Sequence, residues 1–157
     1  MSKDQIVYTH EKPLVAWSSA DRAAWLASRL KSRSYADDVL SKIDALRERF
    51  DVAEYGQIDY GGERYPLLAL KTRDWRDDLP VAPVTGGVHG YETSGVQGAL
   101  DFLLQKAESY AGTVNLLVAP FISPWAYERV QRWNAEALDP NRSFTENGST
   151  QESAALI

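Results

Sequence analysis

Two apolar runs joined by one amphipathic stretch set the fold class. Val114 to Ala119 reads VNLLVA, a continuous apolar strand of the kind covered on both faces. Val81 to Val88 reads as a second buried strand ending in a glycine-rich turn. Between them, Val96, Leu100, Leu103 and Leu104 recur at helical spacing, from about Ser94 to Tyr110, and Gly112 ends the run. Strand, helix, strand in that order is a crossover unit, which makes the two strands parallel neighbours. Ligands of open α/β sheets sit at the carboxyl ends of such strands. His89 and Glu92 follow one carboxyl end, and the stretch from Pro120 to Asn134 follows the other. Two loops distant in sequence are thereby sent to the same sheet edge.

The upstream chain supplies the flanking elements. Pro13 breaks any regular element in the first residues. Ser18 or Ser19 can cap a short helix from Ala20 to about Lys31, with Asp21 in its first turn and Ala23, Leu26, Ala27 and Leu30 at helical spacing. Ser34 caps a second helix, where Asp37 and Asp38 favour the positive end of the dipole and Val39, Ile43, Leu46 and Phe50 form one stripe. From Asp51 the pattern turns to strands: Val52 to Tyr60, a Gly61-Gly62 turn, and Arg64 to Lys71, a hairpin. Thr72 to Pro80 is a charged loop. Asn147-Gly148-Ser149 opens a turn, and Glu152 to Ile157 begins a helix with no cap or polar tail after it. The expectation is an α/β fold with a mixed, largely parallel sheet flanked by helices, in a chain that reads as cut short.

Composition narrows the class of partner. With 157 residues, 44% hydrophobic and 25% charged, the chain has the make-up of one globular domain. A net charge of -5, a pI near 5.0 and dispersed basic residues argue against nucleic acid. There is no cysteine, so disulfides and thiolate metal sites are excluded and any metal must be held by His and carboxylates. Neither a signal-peptide pattern nor a run of membrane-spanning length is present, so a cytoplasmic location without membrane contact is the expectation.

The residues with chemical potential fall in two stretches. In VTGGVHGYETSG, residues 84–95, His89 and Glu92 stand three apart on a turn shaped by Gly86, Gly87 and Gly90. Imidazole and carboxylate suit zinc, and a catalytic zinc takes three protein ligands plus water. The spacing is neither of the helical zinc-protease signatures, a phosphate loop nor a nucleophile elbow. By itself, the pair reads as a surface loop ahead of a metal site. His10, the other histidine, has no partner pattern. The second stretch is Arg132-Trp133-Asn134-Ala135 followed by Asp139-Pro140-Asn141-Arg142-Ser143-Phe144. Two arginines and an amide near a metal suit an anionic substrate end and a developing oxyanion, whereas Arg129 reads as a structural salt-bridge residue.

Together these stretches resemble the zinc metallocarboxypeptidases of the carboxypeptidase A type. Gly87 to Glu92 is similar to the family's Gly-x-His-Gly-x-Glu turn. Arg132 to Phe144 is similar to its Arg-x-Asn-x-x-Gly-x-Asp-x-Asn-Arg-x-Phe segment, apart from Ala137 where glycine is usual and Pro140 where leucine is common. Tyr35, Tyr55-Gly56 and the Gly61-Gly62-Glu63-Arg64 turn look similar too. The resemblance covers about Ser34 to Ile157. Residues 1–33 are expected to be an extension packing on the domain, and 34–157 the N-terminal part of a catalytic domain.

The resemblance implies one zinc ion held by His89 and Glu92. It also implies that Arg132 polarises the scissile carbonyl, and that Asn141 and Arg142 grip the free carboxylate of a peptide or small amide substrate. The family's third zinc ligand, a histidine, and its glutamate general base have no match and are expected beyond residue 157. The chain alone is expected to be inactive. Aspartoacylase and succinylglutamate desuccinylase share a similar turn, but the Arg132 to Asn141 spacing favours a peptide. A peptidoglycan-peptide amidase of the same family and a non-catalytic domain that lost the third ligand are the other readings.

Overall fold

The computed structural model describes residues 16–157. The positions expected for Pro13 and His10 lie outside them. Helix α1 (Ser19–Ala27) opens with a capping box, in which the Ser18 hydroxyl accepts from the Asp21 amide and the Asp21 carboxylate accepts from Ser18. A π-helical turn (Ala36–Leu40) continues into α2 (Ser41–Leu46), and Ser34 Oγ accepts from the Asp37 amide ahead of it. The strands are β1 (Phe50–Tyr60), β2 (Glu63–Thr72), β3 (Val81–Thr85) and β4 (Asn115–Ala119). Between the last two runs α3 (Thr93–Gln105), followed by a 3-10 turn (Ala107–Tyr110). Two short helices, α4 (Pro124–Glu128) and α5 (Gln151–Leu156), flank a 3-10 turn (Pro140–Arg142).

The sheet is mixed, with the order β1-β2-β4-β3. The crossover pair β3 and β4 is parallel, with Val81 opposite Asn115 and Thr85 opposite Ala119. The hairpin β1–β2 and the short β2–β4 pairing are antiparallel, so the parallel character is confined to the crossover. One hydrophobic cluster joins the sheet to α2 and α3 through Val39, Ile43, Leu46, Leu70, Leu100, Leu103 and Val118, all fully buried.

Three expectations shift in detail. Phe50 leaves the helical stripe and starts β1, because α2 ends at Leu46 and a turn follows. The strand from Val81 stops at Thr85, where Gly86 and Gly87 turn the chain. VNLLVA is covered fully on one face only. Leu117 stays 39% exposed, since α2 and α3 cover one side while six-residue α5 packs toward β1 on the other.

Residues 16–33 are anchored by aromatic and ionic contacts. The helical stripe of α1 is not its packing face, and Leu26 and Leu30 are exposed. Trp25 does that work through its larger area, lying 6.0 Å from both Trp125 and Trp133, while Trp17 packs edge-on against Trp133 at 5.7 Å. Lys31 Nζ bridges Glu63 and Glu128 at 2.6 Å each, and Arg129 meets Glu63 at 2.6 Å. Burial works to raise the Glu63 carboxyl, but the hydrogen bonds from Lys31 and Tyr65 and the Arg129 charge outweigh it and hold it below the usual carboxylate range. The stabilisation from such a depressed group is complete above its unfolded value, about 4.3, and is lost as pH falls through the lower folded value. Calorimetric melting points of wild type and Glu63→Gln should therefore differ at pH 7, with the gap closing as the pH is lowered past the carboxylate range.

Candidate metal and substrate site

The turn after β3 is held by close backbone packing. Gly87 sits at φ +63°, a conformation that side chains with a Cβ rarely take. A Cβ on Gly90 would lie 2.1 Å from the backbone of both Ala126 and Tyr127. The turn therefore rests directly on α4, the helix after β4. Ser123 ties the same two loops, its amide donating to the Gly87 carbonyl at 3.0 Å and its hydroxyl to the Val88 carbonyl at 2.7 Å. The Tyr91 amide donates to the Gln131 carbonyl at 3.0 Å, bringing the histidine turn alongside the Arg132 segment.

Four of the five residues singled out from the sequence meet the Asp139 carboxylate, Asn141 through its backbone amide, and Glu92 joins them through His89. His89 is buried, with Nδ1 2.9 Å from Glu92 Oε1 and Nε2 2.9 Å from Asp139 Oδ1. Arg132 donates from Nε to Asp139 Oδ2 at 3.1 Å, with Nη2 2.9 Å from the same oxygen in the ion pair, and from Nη1 to the Tyr91 hydroxyl at 3.2 Å. The Asn141 amide donates to Asp139 Oδ1 at 3.0 Å, and Arg142 Nε lies 3.7 Å from Oδ2. The Tyr91 ring stacks on His89 with centroids 5.9 Å apart. Burial acts to raise the Asp139 carboxyl, yet the hydrogen bonds from His89 and Arg132 hold it below its usual range.

An ionised Asp139 only accepts hydrogen bonds, so His89 Nε2 carries a proton. Nδ1, which faces the second carboxylate, is the nitrogen that a metal would take in place of a proton, the carboxylate-anchored arrangement by which ligating histidines are oriented. Nδ1 and Glu92 Oε1 face each other at 2.9 Å. Two donors on one zinc stand about 3.3 Å apart, so the pair fits as two ligands with a small opening. Among the described residues, no group of three or more His, Cys, Asp or Glu is placed to hold a metal. The site thus offers two donors and their supporting carboxylate.

Asp139 and Tyr91 carry roles that reading the chain did not assign. Asp139 was visible as part of the Asp-x-Asn-Arg run, but the partner it meets lies fifty residues earlier. Nothing in the sequence pattern around Tyr91 points to Arg132. Ala137, standing where the resembled family has glycine, adopts φ +59°. That is the conformation in which a Cβ costs energy.

No family model and no curated protein matches the chain. Solved structures do. A Shewanella amazonensis protein assigned to the metallopeptidases is 27% identical, with a TM-score of 0.66 over 82% of this chain and 54% of its own. A counterpart from Shewanella baltica is 25% identical, with a TM-score of 0.65 over 76% of this chain and 47% of its own. A metallo-carboxypeptidase from Pseudomonas aeruginosa, bound to (2-guanidinoethylmercapto)succinic acid, shares the fold at 16% identity and a TM-score of 0.59, over 76% of this chain and 34% of its own. The chain spans about half the length of the first two structures. Its fold over that span is metallopeptidase-like, of the carboxypeptidase type.

Two substitutions probe the loops without touching a polar side chain. Gly90→Ala forces the turn off α4 and should cost about 3 kcal/mol in chemical denaturation. Ala137→Gly relieves the left-handed alanine and should raise stability by about 0.5–1 kcal/mol in the same measurement.

Proposed function

We propose that this chain carries part of the active site of a zinc-dependent metallocarboxypeptidase, which hydrolyses peptide bonds next to a free C-terminus. The observation that carries the reading is the buried His89, whose Nε2 is anchored on Asp139 while Nδ1 faces Glu92. His89 and Glu92 would hold one zinc ion, with the third ligand and the general base supplied from outside the described residues. When bound, the ion supplies Lewis acidity for attack of water on an amide carbonyl.

The chain's own residues do the positioning. Asp139 fixes the His89 tautomer and turns the same carboxylate to Arg132, so the two move as a unit. Among the described residues, Arg132 donates from Nε to Asp139 and from Nη1 to Tyr91. Its remaining N–H groups would meet a carbonyl oxygen as negative charge develops there. Arg142, its side chain 78% exposed, and the neighbouring Asn141 lie on the 3-10 turn Pro140–Arg142 that follows Asp139. That placement suits a planar fork closing on a substrate carboxylate. The Arg132 to Asn141 spacing favours a peptide over an acylated amino acid.

The test compares three substrates on the full-length protein: a peptide with a free C-terminus, its C-terminally amidated twin and an N-acyl amino acid. Hydrolysis of the first is expected to be much the fastest, with weak turnover of its amidated twin. Preference for the N-acyl amino acid would move the protein to the aspartoacylase-like amidohydrolases, and no turnover of any would support a non-catalytic role. His89→Ala should abolish zinc uptake and activity together. Arg142→Ala should raise KM for the free-carboxylate peptide by roughly 10-fold or more, the worth of a lost charge-assisted pair. Equal losses on the amidated peptide would remove Arg142 from carboxylate binding.

A further inference from the structure

Asn134 lies at the centre of a buried polar knot that the proposed chemistry does not use. The residue is fully buried. Its Oδ1 accepts from the amides of Glu136 and Leu138, both at 3.0 Å. Its backbone amide donates to the Leu138 carbonyl at 2.9 Å, and the Ala137 amide donates back to the Asn134 carbonyl at 3.0 Å. Four hydrogen bonds thus close residues 134–138 into a ring whose next residue is Asp139. The side-chain Nδ2 points the other way, donating to the Tyr60 hydroxyl at 2.8 Å and toward Glu152 Oε2 at 3.3 Å. Tyr60 in turn donates to Glu152 Oε2 at 2.8 Å. One amide therefore joins the end of β1, the start of α5 and the loop that presents Asp139.

We infer that Asn134, braced by Tyr60 and Glu152, is a positioning residue that sets Asp139 against His89. An asparagine is needed because the ring asks for an acceptor while the brace asks for a donor, and only an amide offers both from one planar group. A serine is too short to span the two, and an aspartate would set a charge beside Glu152.

Glu152 serves this knot as a neutral acid. It is fully buried, and among the described residues Oε1 has no hydrogen-bond partner and no Lys or Arg pairs with the carboxyl. An ionised carboxylate would leave a charged oxygen unsatisfied in the interior. Seating the proton on Oε1 leaves Oε2 to accept from Tyr60 and Asn134. Burial, with the Glu136 charge adding to it, pushes the carboxyl above its usual range, in keeping with that assignment.

The functional meaning of this device rests on His89 being the metal ligand, but its test does not. In ¹⁵N-labelled chain, the readouts are hydrogen exchange at the Glu136 and Leu138 amides and the proton resonance of His89 Nε2–H. Asn134→Ala should speed that exchange by roughly tenfold, about the worth of a lost hydrogen bond, and erase the His89 resonance while β3 and β4 amides stay protected. Glu152→Gln should preserve both signals, since it replaces a neutral acid by a neutral amide, and Glu152→Ala should reproduce Asn134→Ala. A folded Asn134→Ala chain that keeps the His89 resonance would overturn the inference, as would Glu152→Gln behaving like Glu152→Ala. Should Asn134→Ala fail to fold, Tyr60→Phe decides: faster exchange at Glu136 and Leu138 supports the brace, and unchanged exchange sinks it. Peptide hydrolysis enters none of these readouts, so loss of the zinc reading would leave this result standing, and the reverse holds too.

Discussion

The Asp139 carboxylate is the point on which the site depends. One oxygen holds His89 Nε2 and the Asn141 amide, and the other holds Arg132. His89 and Arg132, the side chains proposed to meet the metal and the substrate, are thereby referred to one rigid group. Independent anchors would let each side chain wander by its own rotamer freedom, whereas a shared anchor couples their errors. The charge balance supports the same arrangement. Arg132 and His89 keep Asp139 ionised against the pull of partial burial, and the ionised form is the one that accepts from both.

Around that carboxylate, the fold supplies contact rather than reach. The histidine turn touches the backbone of α4 where only Gly90 fits, and Ser123 hydrogen-bonds across the gap. Behind the Arg132 segment stand Trp133, Trp25 and Trp17, so the N-terminal residues buttress the wall from which Arg132 projects. Lys31 and Arg129 fasten the same region to β2 through Glu63. Most of this scaffold is apolar area and backbone bonding, which leaves the polar side chains at the rim free for chemistry.

The architecture was largely legible from periodicity. The crossover, the hairpin and the buried stripes of α2 and α3 each announce themselves by a repeat of two or of about 3.6, and each is present. The candidate site was legible as residue types in two stretches, and His89, Glu92, Arg132, Asn141 and Arg142 lie in one polar cluster. What escaped reading was whatever depends on a partner far along the chain. Asp139 gains its role from His89, and Asn134 gains its own from Tyr60, seventy-four residues earlier. The packing face of α1 is not legible for a related reason. Its repeat favours Leu26 and Leu30, but a single Trp25 buries more area than either once other aromatics stand nearby.

The parallel pairing of β3 and β4 has a consequence for how such a site comes into being. His89 with Glu92, and Arg132 with Asp139, are neighbours along the chain and can associate early. The bond between the halves spans fifty residues and forms only when the two strand ends lie level. A slip of one residue between the strands would displace one loop by about 3.3 Å. That exceeds the tolerance of a hydrogen bond, so a slipped sheet would carry two intact half-sites that never touch. The His89 to Asp139 contact is in that sense a gauge of register, closed only when the crossover has settled into its one correct alignment.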